Sequence, residues 1–188
     1  MYQNRDDQTD RDFWNKVRVG NIPAFSEIFN KYYLPLYQFA GRFVNDAQKA
    51  EDIVQEVFVR LWTNRKDLRI TSSLKSYLYV SVKNNAINCL RREKRLQFTE
   101  DFAVSHIHFL TTPEEQVIED ELVTAVQKAI ARLPRRCRLV YLMKRYDGLN
   151  YQEIADILNI SVNTVKTQMK RALKNLLNHL SYLKTFML

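Results

Sequence analysis

The chain has 188 residues, 46% of them hydrophobic, and its 29 Lys and Arg against 21 Asp and Glu give a formal net charge of +8. This composition can form the buried core of one or two domains, and because only three Gly and four Pro occur and alternating apolar and polar runs are scarce, it predicts an all-α protein. No uncharged apolar run approaches the ~18–20 residues of a membrane span, and the N-terminus lacks the apolar core of a signal peptide, so we expect a cytoplasmic protein without membrane insertion.

Three helices are predicted within residues 21–95. The first covers "AFSEIFNKYYLPLYQFAGRFV", with a bend near Pro35. The second covers "AEDIVQEVFVRLW", and the third, after the polar segment "TNRKDLRITSS", covers "LKSYLYVSVKNNAINCLRREKR". Residues 1–20 are assigned to an N-terminal segment and the start of this domain. Residues 96–112 have mixed composition without a sustained period, which indicates a flexible linker.

A second helical domain is predicted over residues 113–188. Pro113, preceded by a capping Thr and followed by two acidic residues, begins its first helix. Pro134 begins the next helix, which ends at "DGLN". Asn150 and Glu153 form a capping pair that starts the segment "YQEIADILNISVNTVKTQMKRALKNL".

The segment just quoted has the pattern of a helix-turn-helix. Ile154 and Leu158 supply the inner face of its first helix, and Ala155 is the small residue where the two helices cross. Asn159 takes the turn position, where a left-handed backbone is easiest for Gly or Asn. Ser161 is placed to cap the second helix.

The second helix of this motif separates into two faces at 100° per residue. The apolar arc consists of Val162, Val165, Met169, Ala172, Leu173 and Leu176. The other arc carries amide, hydroxyl and cationic groups suited to base edges and phosphates in a major groove: Asn163, Thr167, Lys170, Arg171 and Lys174. An ordinary amphipathic helix with a solvated face is the alternative that periodicity alone leaves open.

Positive charge is concentrated in two parts of the chain. Residues 21–95 carry thirteen basic and seven acidic side chains, and residues 121–188 carry twelve and four, whereas residues 96–120 carry six acidic and no basic ones. Two basic domains around an acidic connector indicate a polyanion bound at two places. A solvated surface that only maintains solubility is the alternative.

The C-terminal pattern resembles a known DNA-binding region. The run "LPRRCRLVYLMKRYDGLNYQEIADILNISVNTVKTQMKRALKNL" looks like region 4 of bacterial sigma factors of the extracytoplasmic-function (ECF) group, with Asn150 at a capping position where the family usually has Ser. LuxR-type regulators share a similar helix-turn-helix. We therefore keep a LuxR-like transcriptional regulator without a sigma role as the alternative function.

The N-terminal half favours the sigma factor over the LuxR-type regulator. The run "AFSEIFNKYYLPLYQFAGRFVNDAQKAEDIVQEVFVRLW" is similar to region 2 of ECF sigma factors. A LuxR-type response regulator would show alternating strands and helices with an acidic phosphorylation pocket, and neither is visible. The two matches cover nearly the whole chain in the family's order.

The resemblance implies three sets of binding residues. Region 4 (residues 113–188) would bind the duplex -35 promoter element through Ser161, Asn163, Thr164, Lys166, Thr167, Lys170, Arg171 and Lys174. Region 2 (residues 21–95) would recognise and melt the -10 element through Arg69, Ser73, Lys75, Tyr77, Asn84, Asn88, Arg91 and Arg92. Region 2 would also bind core RNA polymerase through Asp52, Gln55, Glu56 and Trp62.

The residue types support two of these sets. Asp52, Gln55 and Glu56 share a helix face opposite the core stripe, and an acid and amide patch suits a protein partner better than DNA. On the third helix, Tyr77, two amides and a guanidinium fall within about 60° of each other, an arrangement that can stack on and hydrogen-bond to unstacked bases. Tyr79 lies at the edge of this stripe and is either a core residue or part of the site.

The implied partners are promoter DNA, core RNA polymerase through its beta-prime clamp helices and beta flap, and an anti-sigma factor. Residues 96–112, if extended, would span about 55–60 Å, the length of about sixteen or seventeen base pairs. One chain could then hold both promoter elements. The acidity of the linker would keep it from competing for the same DNA.

No enzymatic activity, cofactor or metal site is predicted. His106 and His108 have no Cys or acidic partners arranged around them. Cys89 and Cys137 lie in separate helical patterns and are expected to be free thiols. A helical nucleic-acid enzyme is a competing class, but it would need acidic metal ligands that converge in space.

Overall fold

The computed structural model of the protein describes residues 3–94 and 121–186, which form eight α-helices and no strand. In chain order these are α1 (Gln3–Arg18), α2 (Ile22–Gly41), α3 (Ala47–Thr63), α4 (Leu74–Lys94), α5 (Glu121–Ala131), α6 (Arg135–Arg145), α7 (Tyr151–Leu158) and α8 (Val162–Phe186). The first four helices belong to one compact unit and the last four to another. The predicted class, two helical domains, is confirmed, whereas the linker 96–112 and the helix start at Pro113 lie outside the described residues.

The first unit is built around α2, which packs against α1, α3 and α4. The helix begins after Asn21, whose side chain accepts a hydrogen bond from the Ala24 amide at 2.8 Å, and it continues through Pro35. Phe39 on α2 is fully buried and packs edge to face on Tyr79 of α4, with ring centroids 4.8 Å apart. Tyr79 is 1% exposed. It is therefore a core residue, which decides the alternative left open by the sequence.

Helix α1 was not predicted, because its few apolar residues stand among charged ones and give a weak helical period. The helix packs on α2 and α4 through the buried side chains of Trp14 and Val17. Asp10 is also buried, and it accepts hydrogen bonds from the Tyr32 hydroxyl and from Lys31 Nζ, the latter at 2.7 Å. Tertiary contacts with α2 therefore hold a segment whose own pattern is weak.

The second unit packs α5, α6 and α7 against α8. Its core consists mainly of the buried side chains Ile130, Leu139, Val140, Leu142, Met143, Leu149, Ile154, Ile157, Val165, Met169, Ala172 and Leu176. Leu173, predicted on the apolar arc of α8, is 48% exposed. At 100° per residue it stands about 70° from the centre of the buried residues of α8, so the contact with the other helices is narrower than the predicted arc.

Candidate functional site

The turn between α7 and α8 sets the direction of α8. A capping box starts α7: the Asn150 side chain accepts a hydrogen bond from the Glu153 amide at 2.9 Å, and the Glu153 carboxylate accepts one from the Asn150 amide at 2.7 Å. Asn159 ends α7 in the left-handed conformation, with φ 55° and ψ 51°. Ser161 Oγ then accepts from the Thr164 amide at 3.1 Å and caps α8. The predicted caps and turn are therefore confirmed.

The predicted DNA-binding residues of α8 are all exposed. They are Ser161, Asn163, Thr164, Lys166, Thr167, Lys170, Arg171 and Lys174. Three of them have hydroxyl groups that already form local bonds: Ser161 and Thr164 pair at 2.9 Å, and Thr167 donates to the Asn163 carbonyl at 2.9 Å. The Asn163 amide and the cations are thus the groups best placed to recognise bases and phosphates.

Helix α3 presents an exposed polar face, defined here as Asp52, Gln55, Glu56 and Val59 and called the α3 face. The three polar members form side-chain bonds one turn away on the same helix, with Gln48 at 3.1 Å, Glu51 at 3.0 Å and Arg60, respectively. These bonds hold the acid and amide groups along the helix surface, and their exposed atoms leave the face accessible to a partner.

Val59 was missed by the sequence analysis. It falls between Asp52 and Gln55 at 100° per residue, and it is 63% exposed. Its neighbours Val57 and Phe58 are buried, so the available signal was an apolar residue out of phase with the core stripe. An apolar residue inside a polar rim has the composition of a protein interface.

Trp62, predicted to bind polymerase, is only half-buried but takes part in the packing of α2 on α3. Its ring lies 5.0 Å from that of Phe25, which also contacts Phe58 edge to face at 6.2 Å. The Arg65 guanidinium lies 4.2 Å from the centre of the Trp62 ring and donates to the Trp62 carbonyl at 2.7 Å. Trp62 is thus held between an aromatic cluster and an arginine, and part of it remains accessible.

The predicted -10 residues lie on α4 and on the segment before it. Arg69, Asn84, Asn88, Arg91 and Arg92 are exposed, and Ser73, Lys75 and Tyr77 are half-buried. The structure brings Tyr77, Asn84 and Asn88 onto one face of α4, as the wheel predicts. Ser73 also caps α4, since its Oγ accepts from the Ser76 amide at 3.1 Å.

The described residues contain neither a metal-binding cluster nor a membrane-spanning helix. Among the described residues, no group of three or more His, Cys, Asp or Glu side chains could hold a metal ion. No described helix is both long enough and apolar enough to cross a membrane. Cys89 and Cys137 are free cysteines, and His106 and His108 lie outside the described residues.

Comparison with known proteins gives consistent matches in both halves of the chain. Residues 28–96 match the family model for Sigma-70 region 2, and residues 124–176 match that for Sigma-70, region 4. The chain is 33% identical over 166 residues to the ECF RNA polymerase sigma factor SigW of Bacillus subtilis, an alignment that covers 83% of this chain and 88% of the relative. These two regions in this order disfavour the LuxR-like alternative.

Solved structures show the same fold. CnrH, solved in complex with the cytosolic domain of CnrY, matches with a TM-score of 0.62 and 23% identity, over 93% of this chain and 98% of that one. RpoE of Bartonella quintana, solved with the anti-sigma factor NepR, matches with a TM-score of 0.62 and 22% identity, over 85% and 98%. Sigma factors are transcription initiation factors without enzymatic activity of their own. The chain therefore belongs to the ECF RNA polymerase sigma factors, which bind core RNA polymerase and promoter DNA and direct transcription initiation.

Proposed function

We propose that three different helices of this sigma factor bind core polymerase, the -10 element and the -35 element. The α3 face and the exposed part of Trp62 bind the beta-prime clamp helices of core polymerase. The exposed face of α4, with Tyr77, Asn84 and Asn88, holds the opened -10 strand, and Arg69, Lys75, Arg91 and Arg92 contact its backbone. Ser73, which caps α4, belongs to the same set of -10 contacts.

In the second unit, α8 lies in the major groove of the duplex -35 element. Asn163 and Lys166, near its N-terminus, contact base edges, which is how the second helix of a helix-turn-helix binds DNA. Ser161, Thr164 and Thr167 add hydroxyl contacts. Lys170, Arg171 and Lys174 supply positive charge further along α8.

The observation that carries this assignment is that one chain presents two chemically different exposed faces. The α3 face has two carboxylates, an amide and an exposed valine, and its composition disfavours DNA, because carboxylates repel phosphates. The face of α8 has cations, hydroxyls and an amide and no carboxylate. A protein partner for the first and a nucleic acid for the second satisfy both chemistries.

Further parts of the proposal rest on the family. Region 4 contacts the beta flap, the protein acts in the cytoplasm, and the chain itself catalyses no reaction, since polymerisation belongs to core polymerase. CnrH and RpoE were each solved with another protein, in the second case an anti-sigma factor. We extend such control to this chain, with an anti-sigma factor that competes with polymerase for the α3 face.

The direct test is run-off transcription with purified core polymerase and candidate promoters. We expect initiation to depend on added protein. The double variant Gln55→Ala, Glu56→Ala should reduce holoenzyme formation, whereas Gln152→Ala on α7, an exposed glutamine of the other unit, should not. Tight binding to duplex DNA without polymerase, combined with no added initiation at any promoter, would favour the regulator instead.

A further inference from the structure

A basic cavity lies between the start of α6 and the middle of α8. Its volume is about 440 Å³, and four cations, two from each helix, line it together with two amides and a thiol. Arg171 and Lys174 belong to the α8 face already assigned to DNA, whereas Arg135 and Arg136 were part of no predicted site. None of the residues that line the cavity is acidic.

The positive charge in this cavity has no ion-pair partner among residues 3–94 and 121–186. Within the part of the chain that the structure describes, none of the four cations forms an ion pair. Arg138, on the next turn of α6, has the pKa of its guanidinium lowered, first by burial and then by the positive charge of Arg135. No side chain caps α6, and its first turn contains no acidic residue, so its N-terminal dipole adds further positive potential.

The wall of the cavity is fixed by a contact between the two helices. Cys137 is 3% exposed, and its Sγ donates to the Gln168 side-chain oxygen at 3.0 Å. Helices α6 and α8 also pack against each other. Because the wall belongs to the packed core, the cavity is present before any ligand binds, which reduces the ordering cost of binding.

We propose that this cavity is a phosphate-binding site, formed by Arg135 and Arg136 from α6 with Arg171 and Lys174 from α8. A guanidinium group can bind two oxygens of one phosphate through two parallel N–H···O hydrogen bonds. A site that is lined by cations and contains no carboxylate favours an anion over a cation. The volume exceeds the roughly 30 Å³ share of one water more than tenfold, so it can take a phosphodiester with its flanking sugars. If α8 lies in the major groove of the -35 element, as proposed above, the DNA backbone beside that groove can supply this phosphate. We favour this source over a free phosphate ion.

This inference rests on the proposed role of α8 and assigns new residues to it. In that arrangement α6 contacts the DNA backbone and fixes the depth and angle at which α8 enters the groove. Arg135 and Arg136 would contribute equally to every promoter, because a phosphate carries no sequence information. Arg171 and Lys174 would likewise contribute to affinity more than to the choice of base.

The test compares two double variants in holoenzyme prepared with full-length protein. One is Arg135→Gln, Arg136→Gln; the control is Arg132→Gln, Arg145→Gln, which removes the same charge from exposed positions outside the cavity. Each holoenzyme is titrated with promoter DNA in which one backbone phosphate at a time is replaced by a neutral methylphosphonate. For wild type and control, we expect about tenfold weaker binding when the contacted phosphate is replaced.

For the cavity variant, replacing that phosphate should change affinity less than about twofold, because its partner is already lost. The plot of log affinity against log salt concentration has a negative slope, and the magnitude of this slope should be smaller by about 1 in this variant. A second experiment measures the melting temperatures of wild type and of the cavity variant with added inorganic phosphate. A larger increase for wild type would identify a free phosphate ion as the ligand of the cavity. Equal behaviour of both double variants in both experiments would overturn the site. If wild-type holoenzyme binds and transcribes in that case, the proposed function stands without it.

Discussion

Truncation of Val59 tests whether the α3 face binds core polymerase. The expected loss of affinity can be calculated from the exposed fraction of this side chain. The change Val59→Ala removes two carbon groups, worth about 0.8 kcal/mol each when transferred from water to a buried site. Val59 is 63% exposed in the free protein, so a partner that covers it completely gains about 1 kcal/mol from those groups. The affinity for core polymerase should therefore fall about fivefold.

The assay is a titration of fluorescently labelled protein with core polymerase, followed by anisotropy. The matched control is Val19→Ala, since Val19 is 83% exposed and lies in the turn between α1 and α2. Both variants should unfold at nearly the same denaturant concentration as wild type, because little of either side chain is buried. Equal affinities of the two variants for polymerase would refute the assignment of Val59 to the polymerase interface.

The remaining predictions concern the DNA-binding surfaces and the turn. Tyr77→Ala should weaken holoenzyme binding to a single-stranded -10 oligonucleotide by about 1–3 kcal/mol, whereas Tyr77→Phe should keep most of it, because stacking needs the ring and not the hydroxyl. Asn163→Ala should weaken binding to the preferred -35 duplex by about 1–3 kcal/mol. On a duplex in which the contacted base pair is changed, the variant should bind no more weakly than wild type does. An equal loss of affinity on all duplexes would indicate a phosphate contact instead. Asn159→Ala should destabilise the protein in urea by about 1–2 kcal/mol and Asn159→Gly should not, since φ is 55° there; equal stability of the two would contradict a strained turn.

The helix-turn-helix could be predicted almost completely because its determinants are local. The Asn150 and Glu153 capping box, the left-handed Asn159 and the Ser161 cap each depend on residues within a few positions of one another. Such signals survive in any tertiary context that keeps the helices. The same holds for the faces of α3 and α4, whose side-chain directions follow from helical geometry alone.

Apart from Val59, the features that were missed depend on contacts between distant residues. Helix α1 is held by burial of Trp14 and by the bonds of Asp10 to residues more than twenty positions away, and no local pattern encodes these. The basic cavity likewise combines side chains of α6 and α8 that are more than thirty positions apart. Arg135 and Arg136 were assigned to no site from the sequence, whereas the fold places them in one cavity with Arg171.

Exposed apolar residues on charged helices can contribute to the binding of a partner without contributing to the stability of the fold. In the first unit Val59 stands in the α3 face, and in the second Leu173 and Leu177, 48% and 68% exposed, lie one turn apart on α8. The cores of both units are closed without these side chains, so the free protein gains little stability from them. Their apolar area contributes free energy only when a partner covers it, which makes the affinity for that partner adjustable without loss of the fold. For a protein that must be stable alone and also bind polymerase, this separation is functionally useful.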